Sequence, residues 1–300
     1  MAEGLMSKVV SRFSRKVIQQ AVDTRLAEEL NSVLVNYKIR PKEKPIFHSE
    51  SEAYAHIEAG YSDEVLNRYI IAKSARWLES LRLQDFVLPP HIYSLLFVLG
   101  LVQVRSAVPV RIIDFGGGAP TMPALLRQLG TIDRVASYRI VESPAFVRQV
   151  PPAWSALAEF SDTYAGEPCD MLILSGVLPY LNHQLVQSVY DAIRKAPPRF
   201  IYFGRTSFLR ADYAEPEAYT IQESRFKDHG AQVDVGMADI EGNMARYVRR
   251  HLKWAELAAV LDPLGYQRTF ALSDESGLEN IKGLGLYANN SLWERPAHVG

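Results

Sequence analysis

Apolar residues after residue 106 follow two kinds of spacing. Short apolar runs typical of strands occupy residues 108–115, 137–141, 171–174 and 200–203. Residues 122–129, 183–195 and 254–264 have the spacing of helices, and two further strand-like runs at 266–272 and 284–288 have no helix between them. Strands alternating with helices of this length predict βαβ units in a mainly parallel sheet. The last two strands should form an antiparallel hairpin at one edge.

The first 87 residues have a different pattern. Met6, Val10, Phe13 and Val17 recur at steps of three and four among basic residues, which predicts an amphipathic helix. A proline- and charge-rich stretch at 40–47 predicts a linker, and residues 52–83 are strongly helical. We therefore divide the chain into a helical N-terminal region, residues 1–87, and an α/β domain, residues 88–300.

The sequence allows three roles for the basic N-terminal helix. It can pack on the α/β domain, where it would cap a substrate site, or pair with a second copy of the chain. A basic amphipathic helix can also lie on an anionic membrane surface. Residues 1–30 contain no uninterrupted apolar stretch of the kind found in a secretory signal, and the apolar stretch at 91–104 is too short to cross a bilayer. We predict a cytoplasmic protein, with peripheral membrane contact as an alternative.

Composition narrows the functional classes. The chain has 33 Lys and Arg against 34 Asp and Glu, a net charge of -1, which argues against a nucleic-acid partner. Its single cysteine, Cys169, excludes a disulfide within the chain and a multi-cysteine zinc site. No HExxH motif or paired-carboxylate cluster is present, so we predict no metal.

The strongest chemical signal is the segment Asp114–Ala119, with the sequence DFGGGA, where a turn should join the first strand to a helix. Glycines let a ligand approach the backbone closely, and the helix N-terminus offers free N–H donors. A dinucleotide fingerprint fails here because Thr121 stands at the third glycine position. The carboxylate of Asp114 would repel a diphosphate and attract a sulfonium and an ammonium. Glu142, which ends the second strand, can accept hydrogen bonds from ribose hydroxyls.

These motifs resemble those of class I S-adenosylmethionine-dependent methyltransferases. The resemblance covers residues 105–289 and rests on Asp114-x-Gly116-x-Gly118, Glu142 and the fourth strand at 170–175. The shorter motifs DFGGGAP, VESP, SGVLPY and GRT resemble a narrower family of bacterial methyltransferases often found among surface-polysaccharide genes. The resemblance implies a Rossmann-like sheet, mainly parallel with an antiparallel last strand, and S-adenosylmethionine as cofactor.

The resemblance also implies a role for each matching residue. Asp114, Gly116, Gly117 and Gly118 should surround the methionine end of the cofactor; Glu142 and Ser143 should hold the ribose; Ser161 and Asp162 should flank the adenine; and Ser175 and Gly176 should lie near the transferred methyl group.

The acceptor side is less determined. The segment SGVLPY after the fourth strand lacks the Asp/Asn-Pro-Pro-Tyr/Phe motif of exocyclic-amine methyltransferases, which favours a hydroxyl acceptor. Such an acceptor needs a general base, for which we select His183; the alternative is an exposed residue at a helix start capped by Asn182. Tyr180, Arg205 and Thr206 are predicted to contact substrate, although an ordinary salt bridge explains Arg205 equally well.

A segment between the fifth strand and the last helix should cover the substrate. Its two histidines, His229 and His251, are interpreted as surface residues. The sequence thus predicts O-methylation of a hydroxyl on a glycan or a small-molecule biosynthetic intermediate. A catalytically silent cofactor-binding scaffold and a nicotinamide-dependent oxidoreductase are the alternatives, the latter disfavoured by Asp114 and Thr121.

Overall fold

A computed structural model describes residues 44–57, 64–82, 90–215, 217–225, 244–272, 281–284 and 286–296. The predicted N-terminal amphipathic helix and His229 lie outside these ranges. The chain divides into two compact units, one of residues 1–44 with 279–284 and one of residues 45–278 with 285–300. The predicted boundary at residue 87, the second copy and the membrane contact stay predictions.

Among the described residues of the second unit, three helices precede the sheet. They are α1 (Glu50–Tyr54), α2 (Glu64–Arg82) and α3 (Pro90–Arg105). Ser49 caps α1, because its hydroxyl accepts the N–H of Glu52 at 3.2 Å. Apolar residues of α2, including Ile70 and Leu78, pack against a cluster that contains Ala119 and Phe146. This helix therefore packs beside the segment that follows the first strand.

The sheet is built from strands that alternate with helices along the chain. In chain order the elements are β1 (Val110–Phe115), α4 (Thr121–Gln128), β2 (Val135–Val141), α5 (Pro144–Val147), β3 (Glu159–Ser161), β4 (Met171–Ser175), α6 (His183–Lys195), β5 (Phe200–Leu209), β6 (Ala218–Arg225), β7 (Met244–Lys253), α7 (Trp254–Leu261), β8 (Gln267–Leu272) and β9 (Leu286–Glu294).

Strands β3, β2, β1, β4 and β5 lie side by side in that order and are parallel. Strand β9 is antiparallel to β5 and pairs on its other side with β8. Side chains of α3 and α4 share one apolar cluster with the sheet, and those of α6 and α7 share another. The predicted Rossmann-like fold, with its mainly parallel sheet and antiparallel final hairpin, is confirmed.

The predicted elements differ from the observed ones mainly at β5. The apolar run at 200–203 marks only the first part of this strand, which continues to Leu209. Beyond the end of β4, Phe208 and Leu209 pair with Leu252 and Lys253 of β7. Strands β6 and β7 form an antiparallel hairpin, and neither strand is predicted by the apolar spacing of the sequence.

Two features are absent from the part of the chain that the structure describes. No helix there is long and apolar enough to cross a membrane. No group of three or more His, Cys, Asp or Glu side chains there is arranged to hold a metal ion.

Candidate active site at the carboxyl edge of the sheet

The register of the parallel strands brings the predicted site segments to one edge. Phe115 at the end of β1 pairs with Val141 at the end of β2, and Val141 pairs with Ser161 at the end of β3. On the other side of β1, Ser175 at the end of β4 pairs with Gly204 of β5. The chain order reverses between β1 and β4, which is where open α/β sheets bind ligands.

The glycine turn after β1 has no room for side chains at its first two glycines. Gly116 has φ +72°, and a Cβ there would overlap the side chain of Val177. A Cβ on Gly117 would lie 2.6 Å from Cγ of Asp114, so the turn wraps around this carboxyl group. A Cβ on Gly118 would meet open space. The turn is therefore closed toward the sheet and open on the side of Gly118.

The carboxyl group of Asp114 is buried beneath the turn, and its contact with the methionine end of a cofactor stays a prediction. Only 7% of the residue is exposed, and the hydroxyl of Tyr138 donates to Oδ2 at 2.7 Å. Burial raises the pKa of Asp114 to about 7; the Tyr138 hydrogen bond opposes the rise, and the charge of Glu142 adds to it. A ligand above the turn would therefore interact with the charge of Asp114 rather than bond to its oxygens.

Glu142 is half-buried directly after β2 and reaches across to the turn. Its Oε1 accepts the N–H of Gly118 at 3.0 Å, and its Oε2 accepts the N–H of Ser143 at 3.1 Å. Burial raises the pKa of Glu142, while these two hydrogen bonds oppose the rise. Among the described residues, no cationic side chain lies within 4 Å of the carboxylates of Asp114 and Glu142.

The other predicted cofactor residues lie along the same edge. The hydroxyl of Ser143 caps α5 by accepting the N–H of Phe146 at 3.2 Å, so this side chain has a structural role. The Ser161 hydroxyl is held in a local turn with Thr163, and Asp162 is exposed. Gly176 has φ +71° directly after Ser175. Cofactor contact by these residues stays a prediction.

The three predicted substrate residues have different surroundings. Tyr180 ends a 3₁₀ turn after β4, and its hydroxyl donates to Oε1 of Gln222 at 2.9 Å. Arg205 is exposed with φ +52°, and its side chain passes 3.5 Å from the position of a Cβ on Gly176. Thr206 is fully buried and its hydroxyl donates to the carbonyl of Gly204. Substrate contact by these three residues stays a prediction.

His183 is the first residue of α6, behind its N-cap Asn182, as the sequence predicts. Its imidazole is exposed, and Nδ1 lies 4.0 Å from Oε1 of Glu217. His251 is 1% exposed, so its interpretation as a surface residue is wrong. Its Nε2 lies 2.9 Å from the hydroxyl of Thr220 on the neighbouring strand β6.

The buried polar residues of β7 are the functional candidates that sequence reasoning missed. Arg249, Arg250 and His251 are each at most 4% exposed. Three consecutive basic residues favour a solvent-exposed stretch when they are read alone. The sequence from Tyr247 to Leu252, YVRRHL, does not alternate between apolar and polar residues, so no local pattern indicated a strand with a covered polar face.

Comparison with known proteins assigns no family. No family model matches the sequence, and no curated protein matches it. Among similar solved structures is the 1,6-didemethyltoxoflavin-N1-methyltransferase of Burkholderia thailandensis, at 12% identity and a TM-score of 0.40 over 86% of this chain and 94% of that one.

Two further similar structures are methyltransferases by name. Magnesium protoporphyrin IX methyltransferase of Synechocystis PCC 6803, with bound S-adenosylmethionine, is 12% identical with a TM-score of 0.42 over 80% of this chain and 100% of that one. The glycopeptide N-methyltransferase MtfA is 14% identical, with a TM-score of 0.40 over 70% of this chain and 92% of that one. At these values the similarity assigns no activity to this chain, and the residues of the site decide what is proposed.

Proposed function

We propose that this protein is an S-adenosylmethionine-dependent methyltransferase. The observation that carries the proposal is the pair of carboxyl groups, Asp114 and Glu142, beside a glycine turn at the switch point of the sheet, with no cationic side chain of the described residues within 4 Å. A ligand with positive charge complements this pair, whereas a diphosphate would be repelled.

The residues at the edge fit such a cofactor. The space beside Gly118 admits a ligand, and the two oxygens of Glu142 can accept hydrogen bonds from a pair of ribose hydroxyls. To do so, Glu142 would exchange its bond to the N–H of Gly118 for one to the ligand, which frees that N–H as a donor. When bound, S-adenosylmethionine supplies a methyl group on a positively charged sulphur, open to in-line attack.

The acceptor side is formed by the hairpin of β6 and β7. This hairpin packs on the 3₁₀ turn at Leu178–Tyr180, which follows β4, and on the extension of β5. An acceptor held between the hairpin and the edge of the sheet would be positioned by these elements, which is the main contribution of protein to a displacement reaction. We propose a hydroxyl of a glycan or of a small biosynthetic intermediate as the acceptor.

A hydroxyl acceptor requires a group that takes its proton. His183 remains our proposal for this group, with its exposed imidazole after β4. His251 is the alternative, because it lies on the same hairpin strand as the buried arginines and contacts a hydroxyl already. Comparing His183→Gln with His251→Gln in the transfer assay separates the two.

The proposal is tested first by binding. Isothermal titration calorimetry of the full chain with S-adenosylmethionine, S-adenosylhomocysteine and NADH should give binding for the first two only. Glu142→Gln should weaken binding at least about tenfold, as expected for loss of a charge-assisted hydrogen bond. Glu159→Gln is the matched control, because Glu159 is an exposed carboxylate that pairs with Arg139 at the opposite end of β3.

Transfer of a radiolabelled methyl group to a library of glycans and hydroxylated intermediates then identifies the acceptor. Cofactor binding without transfer to any acceptor would support the scaffold alternative. No binding of either sulphur compound, or saturable binding of NADH, would overturn the proposal.

A further inference from the structure

The hairpin of β6 and β7 has two faces with different partners. Cross-strand pairing places Ala218, Thr220 and Gln222 on one face with His251, Arg249 and Tyr247. The opposite face carries Tyr219, Ile221 and Val248, which form an apolar cluster with Phe47 and Ala53 of the segment around α1. The hairpin is therefore anchored by its apolar face, and its polar face is turned to the sheet.

Contacts of the polar face define what it covers. The Tyr180 hydroxyl donates to Gln222, and the Tyr180 ring meets that of Tyr247 edge-on with the ring centres 5.2 Å apart. Arg249 donates from Nη2 to the hydroxyl of Ser207 in the extension of β5, at 2.9 Å. These contacts place the polar face over the carboxyl ends of β4 and β5, where the proposed acceptor would lie.

Arg249 is a buried cation without a counter-ion among the described residues. It is 4% exposed, its Nε is buried without a hydrogen-bond partner, and its one hydrogen bond goes to a neutral hydroxyl. The next residue, Arg250, is equally buried but is neutralised by Glu217 at 2.8 Å and Glu256 at 3.0 Å. On the same strand, the charge of Arg250 on the apolar face is therefore balanced by two carboxylates, and the charge of Arg249 on the polar face is balanced by none of the described residues.

Burying a guanidinium without an anion is costly, so buried arginines are normally paired. Strand β9 carries a second buried donor that has no hydrogen-bond partner, Nδ2 of Asn290. The Oδ1 atom of the same side chain accepts the N–H of Arg205 at 2.6 Å. We propose that Arg249 binds an oxyanion, a carboxylate or a phosphate, carried by the methyl acceptor. This inference rests on the proposed function only for the identity of the molecule that carries the anion.

The geometry of the guanidinium fits this role. Its planar donors match the two oxygens of a carboxylate or phosphate. With Nη2 held by Ser207, the free Nε is oriented before the ligand arrives. The hydroxyl of Ser207 accepts from Arg249 and can donate its own proton to the same oxyanion. The acceptor would therefore be an acidic sugar, a phosphorylated intermediate or a related anionic molecule.

The test measures anion binding without cofactor. The melting temperature of the full chain is followed in sodium phosphate and in sodium acetate against sodium chloride of equal ionic strength. Phosphate, acetate or both should raise the melting temperature of the wild type. A larger rise in phosphate indicates a phosphorylated acceptor, and a larger rise in acetate indicates a carboxylated one. Arg249→Met should abolish this stabilisation. Arg246→Met is the matched control, because Arg246 lies on the same strand, is exposed and pairs with Glu223.

A second readout separates anion binding from a structural role. Arg249→Met should melt no lower than the wild type in chloride, since it removes an uncompensated charge, and should bind S-adenosylmethionine as the wild type does. If Arg249→Met fails to fold, Arg249→Lys and Ser207→Ala take its place and should weaken anion binding at least about fivefold. An equal response to phosphate, acetate and chloride in the wild type, or an equal oxyanion response in wild type and variants, would overturn the inference. Absence of S-adenosylmethionine binding with an intact anion response would overturn only the proposed function.

Discussion

Replacing Asp114 with Asn should stabilise the protein above neutral pH. The buried carboxyl group of Asp114 has a pKa raised to about 7, against about 3.9 in an unfolded chain. Between these values the folded protein holds a proton that the unfolded chain has released, so stability decreases as pH rises from about 4 to about 7. At 1.36 kcal/mol per pH unit, the ionised group costs about 4 kcal/mol once the pH exceeds 7.

Asparagine is neutral throughout this range, and its carbonyl oxygen can still accept from the hydroxyl of Tyr138. The free energy of unfolding of Asp114→Asn minus that of the wild type should therefore grow from pH 5 to pH 8. Urea unfolding followed by circular dichroism at pH 5, 6, 7 and 8 measures this difference. Tyr138→Phe removes a hydrogen bond that favours the ionised form of Asp114, so it should raise the pKa of Asp114 further. The stability of this variant should therefore continue to decrease to a higher pH than the stability of the wild type does.

Parallel stability profiles for the wild type and Asp114→Asn would refute the reasoning. They would mean that the carboxyl group ionises near its ordinary pKa, with solvent reaching it beneath the glycine turn. Glu159→Gln, at an exposed carboxylate, provides the reference for charge changes that have no effect on this profile.

Two further predictions concern the same turn. The affinity for S-adenosylmethionine should rise with pH between 5 and 7, by up to about tenfold per pH unit, because a cation favours the ionised form of Asp114. Calorimetry should show a smaller rise in Asp114→Asn than in the wild type, because only Glu142 of the two carboxyl groups remains to ionise there. Gly116→Ala should lose more than about 1 kcal/mol of stability in urea, because a side chain at φ +72° is strained and would overlap Val177. Adding Val177→Ala should relieve the overlap only in part, because the Cβ of residue 177 would still lie 2.6 Å from the new side chain, and it should leave the strain unchanged. A single variant as stable as the wild type would contradict this account.

The sequence predicts the sheet well because the relevant signals are local. Each parallel strand is a short apolar run followed by the residues that end it, as at Phe115–Gly116 and Ser175–Gly176. Parallel pairing then brings those ends to one edge without further information. The helix that begins at His183 is likewise marked by its cap, Asn182.

The state of the site residues depends on groups far away in the chain. Asp114 is buried by packing that includes Tyr138, so its raised pKa could not be read from the glycine motif. Burial of Arg250 depends on Glu217 and Glu256, and burial of His251 depends on its pairing with β6. A local pattern indicates a strand but does not reveal what covers its faces.

Strand β5 is long enough to join two parts of the protein whose sequences can change independently. Its first half pairs with β4 inside the sheet, and its last two residues, Phe208 and Leu209, join the hairpin. The glycine turn and Glu142 belong to strands on the far side of β4. Under the proposed function, sequence changes along the polar face of the hairpin would alter the preferred acceptor while the proposed cofactor site stays as it is. This face is therefore the place to redesign specificity.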